Sequence, residues 1–235
     1  MSFLATRLEA TLDGTWIVSP PMNWSPSGIC FQKKYIRDGD LVVAPSARTW
    51  TNSTPDLHEG LADLARRGAA GAIVERPPAR LPAGLPVMHV SDTRAALTAL
   101  ADAGRAAFTG TVLAVTGSVG KSTVREMLRH VLDGQGGASA TRANFNLLTG
   151  VEMCLAETPP DLAHAIYEIA IGQRGTLQQS ARRVRPHIAV ITAIAPVHLE
   201  GYGTLHNIAR TKAQIFDGLD PERGVAVLNG DDPFF

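Results

Sequence analysis

The stretch Thr111-Val112-Leu113-Ala114-Val115-Thr116-Gly117-Ser118-Val119-Gly120-Lys121-Ser122-Thr123 decides how this chain is read. Its first part is an apolar run rich in β-branched residues, which predicts a buried strand. Its second part is a glycine-rich turn closing on Gly-Lys-Ser, and residues 123–132 continue with helical spacing. Strand, glycine turn and helix in that order form a phosphate-cradling loop. Glycine lets backbone N–H groups turn toward an anion, and the helix N-terminus adds positive potential. Lys121 can then reach outer phosphates and Ser122 can ligate magnesium. The full motif has glycine where this chain has Val115, so the loop is a variant. The alternative is an ordinary strand-to-helix turn with a surface lysine, and the flanking elements argue against it.

Working outward, strands are predicted at 111–115, 138–141, 164–170, 187–192 and 223–228, with helices at 121–132, 145–156, 175–183 and 205–218. Strands alternating with helices predict an α/β domain with a mostly parallel sheet covered on both faces. Ligands bind such sheets at the carboxyl ends of the strands, where the glycine loop, Glu168 and His198 all fall. Upstream, strands are predicted at 40–44, 71–75 and 87–90, and helices at 58–68 and 93–108, with Asp92 as a cap. That order predicts a small N-terminal α/β domain over 1–110, followed by a central nucleotide-binding domain over 111–235. The first forty residues, interrupted by Pro20, Pro21 and Pro26, carry little pattern.

Bulk composition narrows the class. Lys plus Arg and Asp plus Glu number 22 each, so no charge excess points to nucleic acid or an anionic membrane. No apolar run has the length of a membrane-spanning helix, and the N-terminus lacks a signal-type apolar core. Cys30 and Cys154 have no metal-ligand spacing and are expected as small buried apolar residues in a reducing cytoplasm.

Six further blocks accompany the glycine loop, in order: Asn144 to Val151, Tyr167 to Ala170, Arg185 to Thr192, Pro196 to Gly203, Ile208 to Phe216 and Leu228 to Pro233. Together with residues 116–122 they resemble the Mur ligases, ATP-dependent amide ligases of peptidoglycan synthesis. The most similar branch joins D-alanyl-D-alanine to a UDP-linked muramyl peptide. The resemblance implies activation of a carboxylate by ATP as an acyl phosphate, attack by an amine, and release of ADP and phosphate.

The resemblance also implies roles. Thr116, Gly117, Ser118, Val119, Gly120, Lys121, Ser122 and Thr123 would bind ATP. Ser122, Glu168 and His198 would hold Mg2+, and Lys121, Glu168, His198 and Lys212 would be catalytic. Lys212 corresponds to a lysine that many members carbamylate with CO₂. Asn144 and Asn146 would meet substrate. From the residues alone, Glu168 could instead be a solvent-facing strand end, His198 an ordinary loop histidine, Lys212 a solvated helix lysine, and the asparagines turn formers.

Departures are visible as well. The family usually has asparagine at position 119, a further asparagine at 147 and proline at 152, where this chain has Val119, Leu147 and Glu152. A hydroxyl- and carboxylate-bearing segment that meets UDP is replaced by Cys30-Phe31-Gln32-Lys33-Lys34, so the substrate is expected to diverge. The family's C-terminal domain has no counterpart in this sequence, and a second chain is one expected source for it. The leading expectation is a ligase for a small-molecule or peptide carboxylate and an amine. The alternatives are a non-catalytic nucleotide-binding partner of a ligase and a small-molecule kinase or NTPase.

Overall fold

The computed structural model describes residues 5–50, 55–197 and 199–234. Its contacts divide the chain into Met1–Ala103 and Gly104–Phe235.

The first unit holds helix α1 (Ala5–Leu12), strands β1 (Thr15–Val18), β2 (Gly28–Cys30) and β3 (Asp40–Val43), helix α2 (Leu61–Arg66), and strands β4 (Gly71–Val74) and β5 (Val87–His89). Helix α3 (Thr93–Ala107) starts in this unit and crosses the division. The sheet order is β1-β5-β4-β3-β2, parallel from β2 through β5 and antiparallel where β1 meets β5. Val42, Ala72, Val74 and Val87 pack under Leu61 and Leu64 of α2. Asp92 caps α3 as expected, its Oδ1 accepting from the backbone N–H of Arg94 and Ala95. Cys30 and Cys154 are both buried free thiols.

The second unit carries β6 (Thr111–Thr116), α4 (Lys121–Asp133), β7 (Ala138–Ala140), α5 (Leu148–Glu157), β8 (His164–Glu168), α6 (Thr176–Val184), β9 (Ile188–Ile191), α7 (Leu199–Tyr202), α8 (Leu205–Ala213), a 3-10 turn (Gln214–Gly218) and β10 (Val225–Val227). All described strand pairs of this sheet are parallel, in the order β10-β9-β6-β8-β7. Alternation along β6 serves both faces. Leu113 and Val115, with Ile166 of β8, pack against Val124, Leu128 and Leu132 of α4, while Val112 and Ala114 are buried on the opposite side. The chain leaves β6 toward β7 on one side and later fills the other side with β9. The crevice at the carboxyl end of β6 is therefore the topological switch point.

Candidate active site

The glycine loop sits at that crevice. Gly117 has φ +153° and Gly120 has φ +81°, and a Cβ on Gly117 would lie 1.9 Å from Thr192 Oγ1. Only glycine permits this close approach of loop and strand end. The loop is anchored from behind: Ser118 N–H donates to Ala193 O at 2.7 Å and Ser118 Oγ to Ala195 O at 3.0 Å. Thr116 is fully buried, and its hydroxyl donates to Ile169 O at 2.7 Å. Helix α4 starts without a side-chain cap on its N-terminal N–H groups. Those donors, with half-buried Lys121 and exposed Ser122 and Thr123, suit an anion. Val119 is exposed at the tip of the loop.

Two lysines converge on one carbonyl. Lys121 Nζ donates to Gly117 O at 2.9 Å and Ser118 O at 3.3 Å, and Lys212 Nζ donates to Gly117 O at 2.7 Å. Lys212 is 2% exposed, so the solvated alternative for it does not hold. Burial, with the Lys121 charge adding to it, pushes the Lys212 ammonium down from 10.5 to about 7.

A carboxylate faces the start of α4. Glu168, at the end of β8, is 1% exposed, so it is no solvent-facing strand end. Its Oε2 accepts from Ser122 Oγ at 2.8 Å and Arg125 at 3.0 Å, and its Oε1 accepts from Asn146 Nδ2 at 2.7 Å. A hydroxyl and a carboxylate oxygen at hydrogen-bond distance form a hard oxygen pair that fits magnesium. Asn144 is exposed and is not drawn into this cluster, whereas Asn146 is. His198 lies outside the described residues.

Arg125 is the member that sequence reasoning missed. It is 8% exposed and ties Glu168 to Ala143 O at 2.9 Å. The available signal was position: Arg125 lies one helical turn beyond Lys121 and Ser122 on α4.

The profile of the Mur ligase middle domain matches residues 115–235, just over half of the chain. The chain belongs to the Mur ligase family. The UDP-N-acetylmuramoyl-tripeptide--D-alanyl-D-alanine ligase of Escherichia coli K12 is 38% identical over 177 residues, covering 75% of this chain and 38% of that protein. The enzyme of the same name from Synechocystis sp. PCC 6803 is 32% identical over 205 residues, covering 87% and 44%. Among solved structures, MurF from Acinetobacter baumannii superposes with a TM-score of 0.79 at 30% identity, over 100% of this chain and 50% of that one. MurF ligase from Thermotoga maritima, in complex with ADP, gives 0.67 at 28% identity, over 88% and 46%. This Mur ligase family chain spans about half the length of the relatives it matches.

Proposed function

We propose that this chain carries the nucleotide-binding, carboxylate-activating part of an ATP-dependent, ADP-forming amide ligase. The single observation that supports this most is the contact of Ser122 Oγ with the Glu168 carboxylate at 2.8 Å, directly beside Lys121 at an uncapped helix start. In this reading residues 111–235 bind ATP and residues 1–110 serve the acid substrate. Lys121 exchanges its bonds to Gly117 O and Ser118 O for the outer phosphates. The uncapped N–H groups of α4 hold the phosphate oxygens. Ser122 and Glu168, joined by His198, hold magnesium, which when bound would offset phosphate charge as the acyl phosphate forms. Arg125 and Asn146 fix the Glu168 carboxylate. The substrate carboxylate oxygen attacks the terminal phosphorus and ADP leaves. The amine then attacks the acyl carbon and phosphate leaves.

Lys212 is proposed to react with CO₂. A lysine that loses its proton near 7 presents the neutral amine this step needs, and the product carbamate releases one proton. An apolar slot lined by Ile191, Ile194, Ala209, Phe216, Leu228 and Phe234 is the proposed nucleobase seat.

The acid is inferred to be peptide-like and the cell compartment cytoplasmic. A UDP-linked acid is disfavoured by the chain's own residues. Cys30 and Phe31 are buried, and Lys33 is paired with Asp63 at 2.7 Å, so the segment offers a ligand neither hydroxyl nor carboxylate. A second reading, that another polypeptide completes the site, is favoured by exposure of Val225, Val227 and Leu228 along the open edge of the second sheet.

The test uses an ¹⁸O-labelled carboxylate with ATP and an amine. It is run on the chain alone and mixed with the separately produced carboxyl-terminal half of the E. coli relative. Transfer of ¹⁸O into released phosphate is expected. ADP release that ignores the carboxylate would make the chain a simple NTPase.

A further inference from the structure

One nitrogen atom joins the nucleotide site to a strained turn. The guanidinium of buried Arg125 is held from two sides. Toward the surface, Nε and Nη2 both donate to Glu126 Oε1, at 3.0 and 2.8 Å. Toward the interior, Nη1 donates to Glu168 Oε2 at 3.0 Å and to Ala143 O at 2.9 Å. Both hydrogens of Nη1 are thereby in use. Ala143 sits at φ +46°, in the left-handed region that residues other than glycine avoid. The turn opens the segment Ala143-Asn144-Phe145-Asn146, whose far end returns to the same carboxylate. Asn146 Nδ2 donates to Glu168 Oε1 at 2.7 Å, and Asn146 O accepts from the Ala170 N–H at 2.8 Å. The backbone of Glu168 is fixed separately, its N–H donating to Thr141 Oγ1 at 2.8 Å.

Glu168 Oε2 is also the oxygen that Ser122 Oγ touches, at 2.8 Å, so it is the one placed to meet a divalent cation. A guanidinium and a divalent ion on one carboxylate oxygen repel each other, and burial strengthens that repulsion. Arg125 therefore competes for Oε2, and the nitrogen it would withdraw is the one that holds Ala143 O.

We propose, on the ligase reading that makes Ser122 and Glu168 a cation pair, that Arg125 is a positioning residue coupling that pair to residues 143–146. While Nη1 bonds Oε2, the affinity of Glu168 for a divalent cation is held down and the turn at Ala143 is held closed. Arg125 gives up Oε2 when a divalent cation binds there. It loses Ala143 O in the same movement, and the left-handed turn relaxes.

The test is a nuclear magnetic resonance titration of the ¹⁵N-labelled chain with Mg2+, first without nucleotide and then with the non-hydrolysable analogue AMP-PNP. Amide hydrogen exchange is measured at each end point. Phe145 and Ala170 report the segment, because their N–H groups donate to Arg142 O and Asn146 O. In the unaltered chain, saturating Mg2+ is expected to speed exchange at both amides roughly tenfold. Arg125→Met is expected to show that fast exchange without Mg2+, to change no further on its addition, and to bind Mg2+ roughly tenfold more tightly. Arg125→Lys, which keeps the charge, is expected to bind Mg2+ within about twofold of the unaltered chain. A purely structural arginine would give a different pattern, a looser segment together with weaker Mg2+ binding in Arg125→Met, and that pattern would overturn the proposal. So would Mg2+ affinity unchanged by Arg125→Met, including none in either chain. Unchanged or slower exchange in the unaltered chain at saturating Mg2+ would overturn it as well, and this arm needs no variant to fold. Failure of the unaltered chain to bind AMP-PNP would sink the ligase reading, while the Mg2+ results without nucleotide would still decide the role of Arg125.

Discussion

Lys212 is a lysine under tension: a cation 2% exposed, bonded to a single carbonyl and repelled by Lys121. The sign of its effect on stability follows from the lowered value of about 7. The unfolded chain keeps the proton up to about 10.5. The folded chain therefore binds fewer protons between about 7 and 10.5, and stability rises with pH across that window. In CO₂-free buffer, Lys212→Met is expected to remove this rise, measured as the urea midpoint at pH 6.5 and 9. An unchanged slope would show that Lys212 titrates as an ordinary lysine. With ¹³C-bicarbonate, a carbamate carbon signal that vanishes in the same variant would support the modification. Glu168 makes the opposite case, a buried anion with every partner in place. Glu168→Ala leaves Arg125 in the interior with the Ala143 carbonyl and the half-exposed Glu126 as its remaining partners, and is expected to cost about 3 kcal/mol in urea unfolding.

Which site residues were legible follows from where their partners come from. Lys121 and Ser122 could be read because they close a glycine loop that is contiguous in sequence, to which Lys121 bonds back at Gly117 and Ser118. Arg125 could not, because an arginine on an amphipathic helix is ordinarily solvated and its partner, Glu168, lies on another strand. Lys212 was named through the resemblance alone, because its hydrogen bond reaches back to Gly117, far upstream in the chain.

At the scale of elements, the glycine loop is held in shape by the end of β9. Thr192 N–H donates to Thr116 O at 2.9 Å, and Gly117 packs against the Thr192 side chain. Gly117→Ala forces a Cβ into Thr192 Oγ1 at a backbone angle that alanine avoids. It is expected to abolish Mg-ATP binding and to cost about 1–3 kcal/mol of stability. Binding retained by this variant would mean that the loop does not cradle phosphate.

Strands β6 and β8 and helices α5 and α6 were legible because each has a buried face and turn signals at its ends. The first forty residues were not. Strand β2 is three residues long and buried throughout, too short to display a period. Strand β1 joins as an antiparallel edge with a register shift between Trp16 and Val18, and three prolines separate the two strands. Helix α7, of four residues, is also too short to leave a periodic trace.

At the scale of the whole molecule, the second sheet ends on an open edge. Val225, Val227 and Leu228 of this region are 50%, 42% and 40% exposed. Such an edge pairs readily with another strand. The double variant Val225→Lys, Val227→Lys is expected to raise the monomer fraction in sedimentation at high concentration and to leave Mg-ATP affinity unchanged. No helix of the described residues is long and apolar enough to cross a membrane. Charges balance over the full sequence, as was evident from composition.

The ligase reading requires the crevice at the carboxyl end of β6 to bind Mg-ATP. The most direct test titrates Mg-ATP against this chain and against Lys121→Ala by calorimetry. Saturable, magnesium-dependent binding that is lost in the variant is expected. Binding of equal strength in both chains would contradict it.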